Sequence, residues 1–284
     1  MLIFRTIAEH RDRIASWRAE GHRVCLVPTM GALHAGHLSL IEMGNSVADK
    51  VVATLFVNPT QFGKGEDLAH YPRDEGNDAE LLAHHGCDML FIPPVSEMYP
   101  VGFKTKIRVS GLSDCLCGTA RRGHMDGVAQ VVAKLLIQAG ADYAIFGEKD
   151  WQQLAVIRRM ARDLDIPTDI LGGPTVREAD GLALSSRNRY LDPAQRRIAP
   201  NLSRVLFSAA DRIARGWPVD AECAASVSTL LKAGFESVDY VEARDADTLE
   251  PVTGHDPKNP GRLFAAAHLG KARLIDNVTI ARIG

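Results

Sequence analysis

Short apolar runs alternating with longer stretches of helical spacing constrain this chain more than any other feature. Residues 23–28, 50–57, 88–92 and 143–147 are short and apolar enough to be strands buried on both faces. Between and after them, residues 38–47, 74–85, 127–139 and 150–164 carry helical periodicity. In one of these, Val128, Val131, Val132, Leu135, Leu136 and Ala139 form a single stripe at three- and four-residue intervals. Strand, helix, strand, helix predicts an α/β fold built on a doubly wound parallel sheet. Such sheets take their ligands at the carboxyl ends of the strands. Those turns are therefore where chemistry is sought.

A last short strand is predicted at residues 167–171, after which the character changes. Residues 175–192 are rich in Arg, Ser, Gly and Asn and read as a hinge or active-site loop. Helical segments at 193–215 and 220–233 follow, then strands at 238–243, 262–268 and 272–278, with a surface turn at 254–261. This predicts a smaller α+β C-terminal domain, residues 179–284, after a sheet domain of residues 1–178; 284 residues leave room for both. A formal net charge of −2 argues against a general polyanion surface, so no nucleic-acid partner is expected. No apolar signal core opens the chain and no apolar run approaches the roughly 18 residues of a membrane span. A cytoplasmic protein without a membrane partner is expected. Five scattered cysteines do not make a disulfide framework, and nothing near Cys115 and Cys117 completes a zinc site.

Four constellations fall at the predicted turns. The first, PTMGALHAGH at 28–37, leaves a strand and opens a helix. Gly31 and Gly36 permit a tight turn and close backbone approach, and a helix start suits phosphate. His34 and His37, three apart, share a helix face and can donate to phosphate oxygens; helix capping and packing account for them as well. The second, FVNPTQF at 56–62, brings the amides of Asn58 and Gln61, able to read a hydroxyl and a carboxylate together. A plain Asn-Pro turn is the alternative for Asn58. The third, FGEKDWQQ at 146–153, offers Lys149 to a phosphate, Asp150 as a cap, ribose or metal contact, and Gln153 one turn on. The fourth, LSSRN at 184–188, suits a flexible phosphate clamp. Solvated polarity explains the last two equally, as it does the basic cluster Arg121, Arg122 and His124.

Together these stretches resemble the pantothenate synthetase (pantoate–β-alanine ligase) family. The likeness runs through PTMGALHAGH at 28–37, LFVNPTQFG at 55–63, YPR at 71–73, FGEKDWQQL at 146–154 and PTVREADGLALSSRNRYLD at 174–192, in the family's order. The resemblance implies a Rossmann-like sheet of the nucleotidylyltransferase type followed by a smaller domain that covers the site. It implies an AMP-forming ligase: pantoate attacks ATP to give pantoyl-adenylate and pyrophosphate, then β-alanine displaces AMP. By position it implies that Met30, Gly31, Ala32, Leu33, His34, Ala35, Gly36 and His37 contact ATP. Gly147, Glu148, Lys149, Asp150, Val176, Leu184, Ser185, Ser186 and Arg187 would do so too. His34, His37, Lys149 and Arg187 would serve the chemistry, His37 as proton donor. Gln61 and Gln153 would hold pantoate, with Gln61 also near β-alanine. Mg²⁺ accompanies the nucleotide, the metal-holding protein residues stay unassigned, and a homodimer is implied. Two positions depart from the family pattern, Met125 in place of Phe and Leu184 in place of Met. Both are apolar exchanges of similar bulk.

Other readings are a nucleotidylyltransferase acting on another small acceptor, a class I aminoacyl-tRNA synthetase-like protein, and a catalytically silent nucleotide-binding homologue. The first has no evident use for the amide pair Gln61 and Gln153. The charge balance and short C-terminal domain leave little room for tRNA in the second, and a silent homologue usually loses a phosphate-binding residue.

Overall fold

The computed structural model describes residues 1–63, 67–69, 71–254 and 261–280. It divides into two compact units. The first comprises Met1–Ser113, Arg121–Glu148 and Val156–Pro174; the second comprises Asp114–Ala120, Lys149–Ala155 and Thr175–Gly284.

Strands β1 (Leu2–Phe4), β2 (Val24–Thr29), β3 (Lys50–Leu55), β4 (Met89–Phe91), β5 (Tyr143–Gly147) and β6 (Asp169–Gly173) form one sheet. Its order is β1-β4-β3-β2-β5-β6 and every pairing is parallel. Successive side chains of a strand point to opposite faces. Cys25, Val27, Val51, Ala53, Leu90 and Ile145 accordingly share one cluster with Leu40 and Ile41 of α2 (Ala35–Val47) and Leu82 of α3 (Glu75–His84). Phe91, the neighbour of Leu90, instead stacks on His10 of α1 (Ile7–Ala19), ring centroids 4.3 Å apart. Helices α1 and α6 (His124–Ala139) pack on β2 and on each other. The chain runs from β2 to β3 and β4 on one side, then returns to β5 and β6 on the other. The order therefore reverses between β2 and β5, and the crevice at their carboxyl ends is where such a sheet takes ligand.

In the second unit, β7 (Ser237–Asp245), β8 (Gly261–Leu269) and β9 (Ala272–Thr279) make an antiparallel sheet in that order. Leu263, Ala265 and Leu274 pack with Leu202, Leu206 and Ile213 of α9 (Asn201–Ala214) and Leu230 of α10 (Val219–Ala233). The single helical segment expected over 193–215 is two, α8 (Pro193–Ile198) and α9. Pro200 stands between them, with no N–H for the ladder and a ring that crowds the preceding turn. Strand β1 and helix α1 were not foreseen from apolar runs. Strand β1 has three residues, and α1 buries only His10, Ile14 and Trp17, spaced i, i+4, i+7. Its start is written in the reciprocal Thr6–Glu9 capping box. The turn expected at 254–261 lies mostly outside the described residues. Among the described residues no helix is long and apolar enough to cross a membrane.

Candidate active site

The turn after β2 is wound tightly. Gly31 (φ +85°) and Ala32 (φ +53°) are both left-handed, a conformation that costs a residue with a Cβ about 1–2 kcal/mol. The cost is offset from α3: the Asp78 carboxylate, 2% exposed, accepts from Ala32 N at 2.8 Å and Leu33 N at 2.9 Å. Gly31, Ala32 and Leu33 are buried. The Ala32 and Leu33 N–H groups are thus turned onto Asp78. His34 to His37 stay more accessible, with Ala35 exposed.

His34 caps α2. Its Nδ1 accepts from Gly36 N at 3.2 Å, and His37 Nδ1 accepts from His34 N at 3.4 Å, with the two rings 4.1 Å apart. Capping and phosphate binding are therefore not alternatives. A ring nitrogen that accepts a backbone N–H carries no proton, so each neutral imidazole holds its proton on Nε2. The backbone of one helix turn sets both tautomers, and the two Nε2–H groups are donors.

The second constellation sits at the end of β3. Asn58 is fully buried and its amide is spent internally. Its Oδ1 accepts from Thr60 N at 3.2 Å, Thr60 Oγ1 at 2.9 Å and Tyr99 OH at 2.9 Å; its Nδ2 donates to Gln61 Oε1 at 3.1 Å and Gly127 O at 3.0 Å. Asn58, expected among the substrate contacts, spends its amide in this structure on building the turn. Gln61 Nε2 lies 2.8 Å from Met30 Sδ, joining the turns after β2 and β3. The Gln61 carbonyl accepts from Arg121 Nη2 at 3.4 Å and meets His124 Nδ1 at 2.7 Å, which gives two of the three residues of that basic cluster a structural task. Gly127 is required here, because a Cβ would stand 2.3 Å from Thr60 O. The Gln61 amide keeps one N–H and one oxygen lone pair for a ligand.

Two further segments come together in the second unit. Lys149, in the 3₁₀ turn Glu148–Asp150, lies 3.7 Å from Asp150 Oδ2, and its carbonyl accepts from Asn277 Nδ2 at 2.9 Å. The indole of Trp151 donates to Ala246 O at 2.7 Å and lies under Arg262, 3.6 Å from ring centroid to guanidinium carbon. Residues 176–184 fold back as a hairpin: Leu184 N donates to Val176 O, and Arg177 bridges Ala183. Arg177 pairs bidentately with buried Asp276, at 2.6 and 2.8 Å. Arg196 holds Glu178 and Asp180, both at 2.6 Å. Ser185 Oγ caps the 3₁₀ turn Ser186–Tyr190 by accepting from Arg187 N at 3.3 Å. The clamp expected to be flexible is therefore a platform tied to β9. Lys149, Ser185, Asn188 and Asp276 line one pocket of this unit. Within it Asn188 Oδ1 is buried without a partner among the described residues, an acceptor for a ligand hydroxyl or amine.

Within the first unit, then, Met30, the histidine turn and Gln61 are gathered around the ends of β2 and β3; Gly147 and Glu148 end β5. Within the second, Lys149 meets the Ser185–Arg187 turn, while Gln153 lies half-buried on α7 (Trp151–Asp163). Asp78, Asp276, Asn277 and Gln152 were missed. Asp78 is one of several acidic residues on α3, and Asp276 and Asn277 lie inside a strand that reads as apolar. The fourth, 5% exposed, accepts from Cys117 N at 3.0 Å and donates to Cys115 O at 2.8 Å, so the Cys-x-Cys segment is held by an amide. None of the five cysteines is in a disulfide.

The family model for pantoate-beta-alanine ligase matches residues 2–279. The pantothenate synthetase of Paramagnetospirillum magneticum is 58% identical over 278 residues, 98% of this chain and 97% of that protein. That of a Chelativorans species is 55% identical over 280 residues, 99% and 98% of the two chains. The crystal structure of the Thermus thermophilus pantothenate synthetase superposes with a TM-score of 0.92 at 44% identity, over 99% of this chain and 100% of the other. A Francisella tularensis pantoate-beta-alanine ligase complexed with beta-gamma ATP and beta-alanine gives 0.83 at 32% identity, over 99% and 98%. The chain belongs to the pantoate–β-alanine ligase family.

Proposed function

We propose that this protein condenses pantoate with β-alanine at the expense of ATP, through a pantoyl-adenylate. The observation that carries the reading is the paired Nε2–H donors of His34 and His37 at a helix start beside the strand-order reversal. In the first step a pantoate carboxylate oxygen attacks the α-phosphorus, the bond to the bridging oxygen breaks, and pyrophosphate leaves. His34 and His37 donate Nε2–H hydrogen bonds to the charge that gathers on the leaving group. Lys149, Arg187 and the positive end of α2 offset the repulsion between carboxylate and triphosphate. Gln61, shaped by Asn58 and Met30, holds pantoate together with Gln153. In the second step the neutral amine of β-alanine attacks the acyl carbon, the acyl–oxygen bond breaks, AMP departs with the oxygen pantoate brought, and the nitrogen gives up its proton to solvent.

Residues 1–178 carry ATP and pantoate in this reading. A hydrolysable acyl-adenylate calls for exclusion of water, the task that the family resemblance gives to residues 179–284. Among the described residues no group of three or more His, Cys, Asp and Glu is placed to cage a metal. Mg²⁺ would accompany the nucleotide, where it would neutralise phosphate charge. The resemblance further supports a cytoplasmic homodimer. The relatives favour pantoate over a phosphate or alcohol acceptor. The test is AMP release measured with ATP and each acid, alone and together. AMP that forms only with pantoate and β-alanine both present supports the assignment; turnover unaffected by either acid overturns it.

A further inference from the structure

We propose that Asp78 is a positioning residue for nucleotide activation: from α3 it holds the turn that sets His34 and His37, without touching ATP. The inference rests on the reading above, in which that turn grips the phosphates. Three observations carry it. Asp78 is 2% exposed, and each carboxylate oxygen accepts one backbone N–H of the turn, Ala32 at 2.8 Å and Leu33 at 2.9 Å. Those are the residues around two successive left-handed positions, Gly31 and Ala32, the geometry in which adjacent N–H groups converge on an anion. An anion of the protein itself fills that place here. The fit is close from the other side too, because a Cβ at Gly31 would lie 2.9 Å from Asp78 Oδ2.

The consequence is chemical. With both N–H groups satisfied internally, the strained turn has one conformation, and the cap residue His34 follows directly from it. A displaced carboxylate would let Gly31 and Ala32 relax toward ordinary φ and shift both Nε2–H donors. Misplacement by an ångström at a reacting centre costs about a hundredfold in rate.

Asp78→Asn keeps the shape but replaces one acceptor with a donor facing an N–H. The two half-reactions separate a positioning role from general damage. We expect pyrophosphate release from ATP and pantoate to slow by roughly 10- to 100-fold. Once adenylate has accumulated, its conversion on adding β-alanine should stay within about twofold of wild type. Equal slowing of both steps, or normal pyrophosphate release by folded enzyme, overturns the proposal. Asp78→Glu, which keeps the charge but moves the carboxylate by one methylene, must show the same split and serves if Asp78→Asn does not fold. If the wild-type enzyme releases no pyrophosphate with pantoate, the proposed function fails instead, and the two failures are distinct.

Discussion

In the histidine pair one ring nitrogen serves the backbone, and the ligand role proposed above is assigned to the other. Nδ1 of each ring is committed to a backbone N–H of the same helix turn, so the ligand-facing role falls to Nε2. His37→Ala should lower adenylation by roughly 10²–10³-fold, the usual cost of one preorganised donor, with the fold intact. Pyrophosphate release near the wild-type rate would remove His37 from the chemistry. Arg187→Ala should slow the ATP-dependent step most; a defect confined to aminolysis would count against its place at the triphosphate. Gln61 drew notice at this scale as an amide after a strand end, and the structure sets it against Met30 and Asn58. The task of Asn58 was not legible, since nothing local tells that its amide meets Gly127, 69 positions away.

At the scale of elements, what was legible followed periodicity. Strands β2 to β5 announce themselves as apolar runs, because burial on two faces leaves little room for polar residues, and α6 announces itself as an apolar stripe. The sheet's edge strand β1 and helix α1 escaped, one for being three residues long and the other for burying a histidine in its stripe. The loop 175–192, read as a hinge or active-site loop, hid its anchor for a different reason. Its polarity reads as solvation until Asp276, on a strand nearly a hundred residues later, is brought against Arg177. That ion pair is buried on the carboxylate side, so Arg177→Ala leaves a charge stranded at 2% exposure. We expect a loss of about 3–5 kcal/mol, read from denaturant unfolding. Arg177→Lys should recover only part, since an ammonium cannot form the bidentate pair. Stability unchanged in Arg177→Ala would mean that the hairpin is held by its backbone alone.

For the molecule as a whole, one buried group ties stability to pH. His10 is fully buried against Phe91, and neither ring nitrogen has a hydrogen-bond partner among the described residues. Burial, with a smaller contribution from the charge of Arg11, pushes its pKa down from 6.5 to about 4. The folded protein therefore keeps His10 neutral where the unfolded chain takes up a proton. Its contribution is fully present above pH 6.5 and is lost as pH falls through that value toward 4. The loss approaches about 3 kcal/mol. Denaturant midpoints for wild type should fall between pH 7.5 and 4.5 by more than those of His10→Leu; parallel curves would contradict this. The central claim concerns the bond by which ATP is spent. Pantoate labelled with ¹⁸O in its carboxylate, incubated with ATP, β-alanine and the enzyme, reports it directly by mass spectrometry of the products. An acyl-adenylate predicts one labelled oxygen in AMP and none in pyrophosphate. Label in inorganic phosphate, or ADP as the nucleotide product, would contradict it.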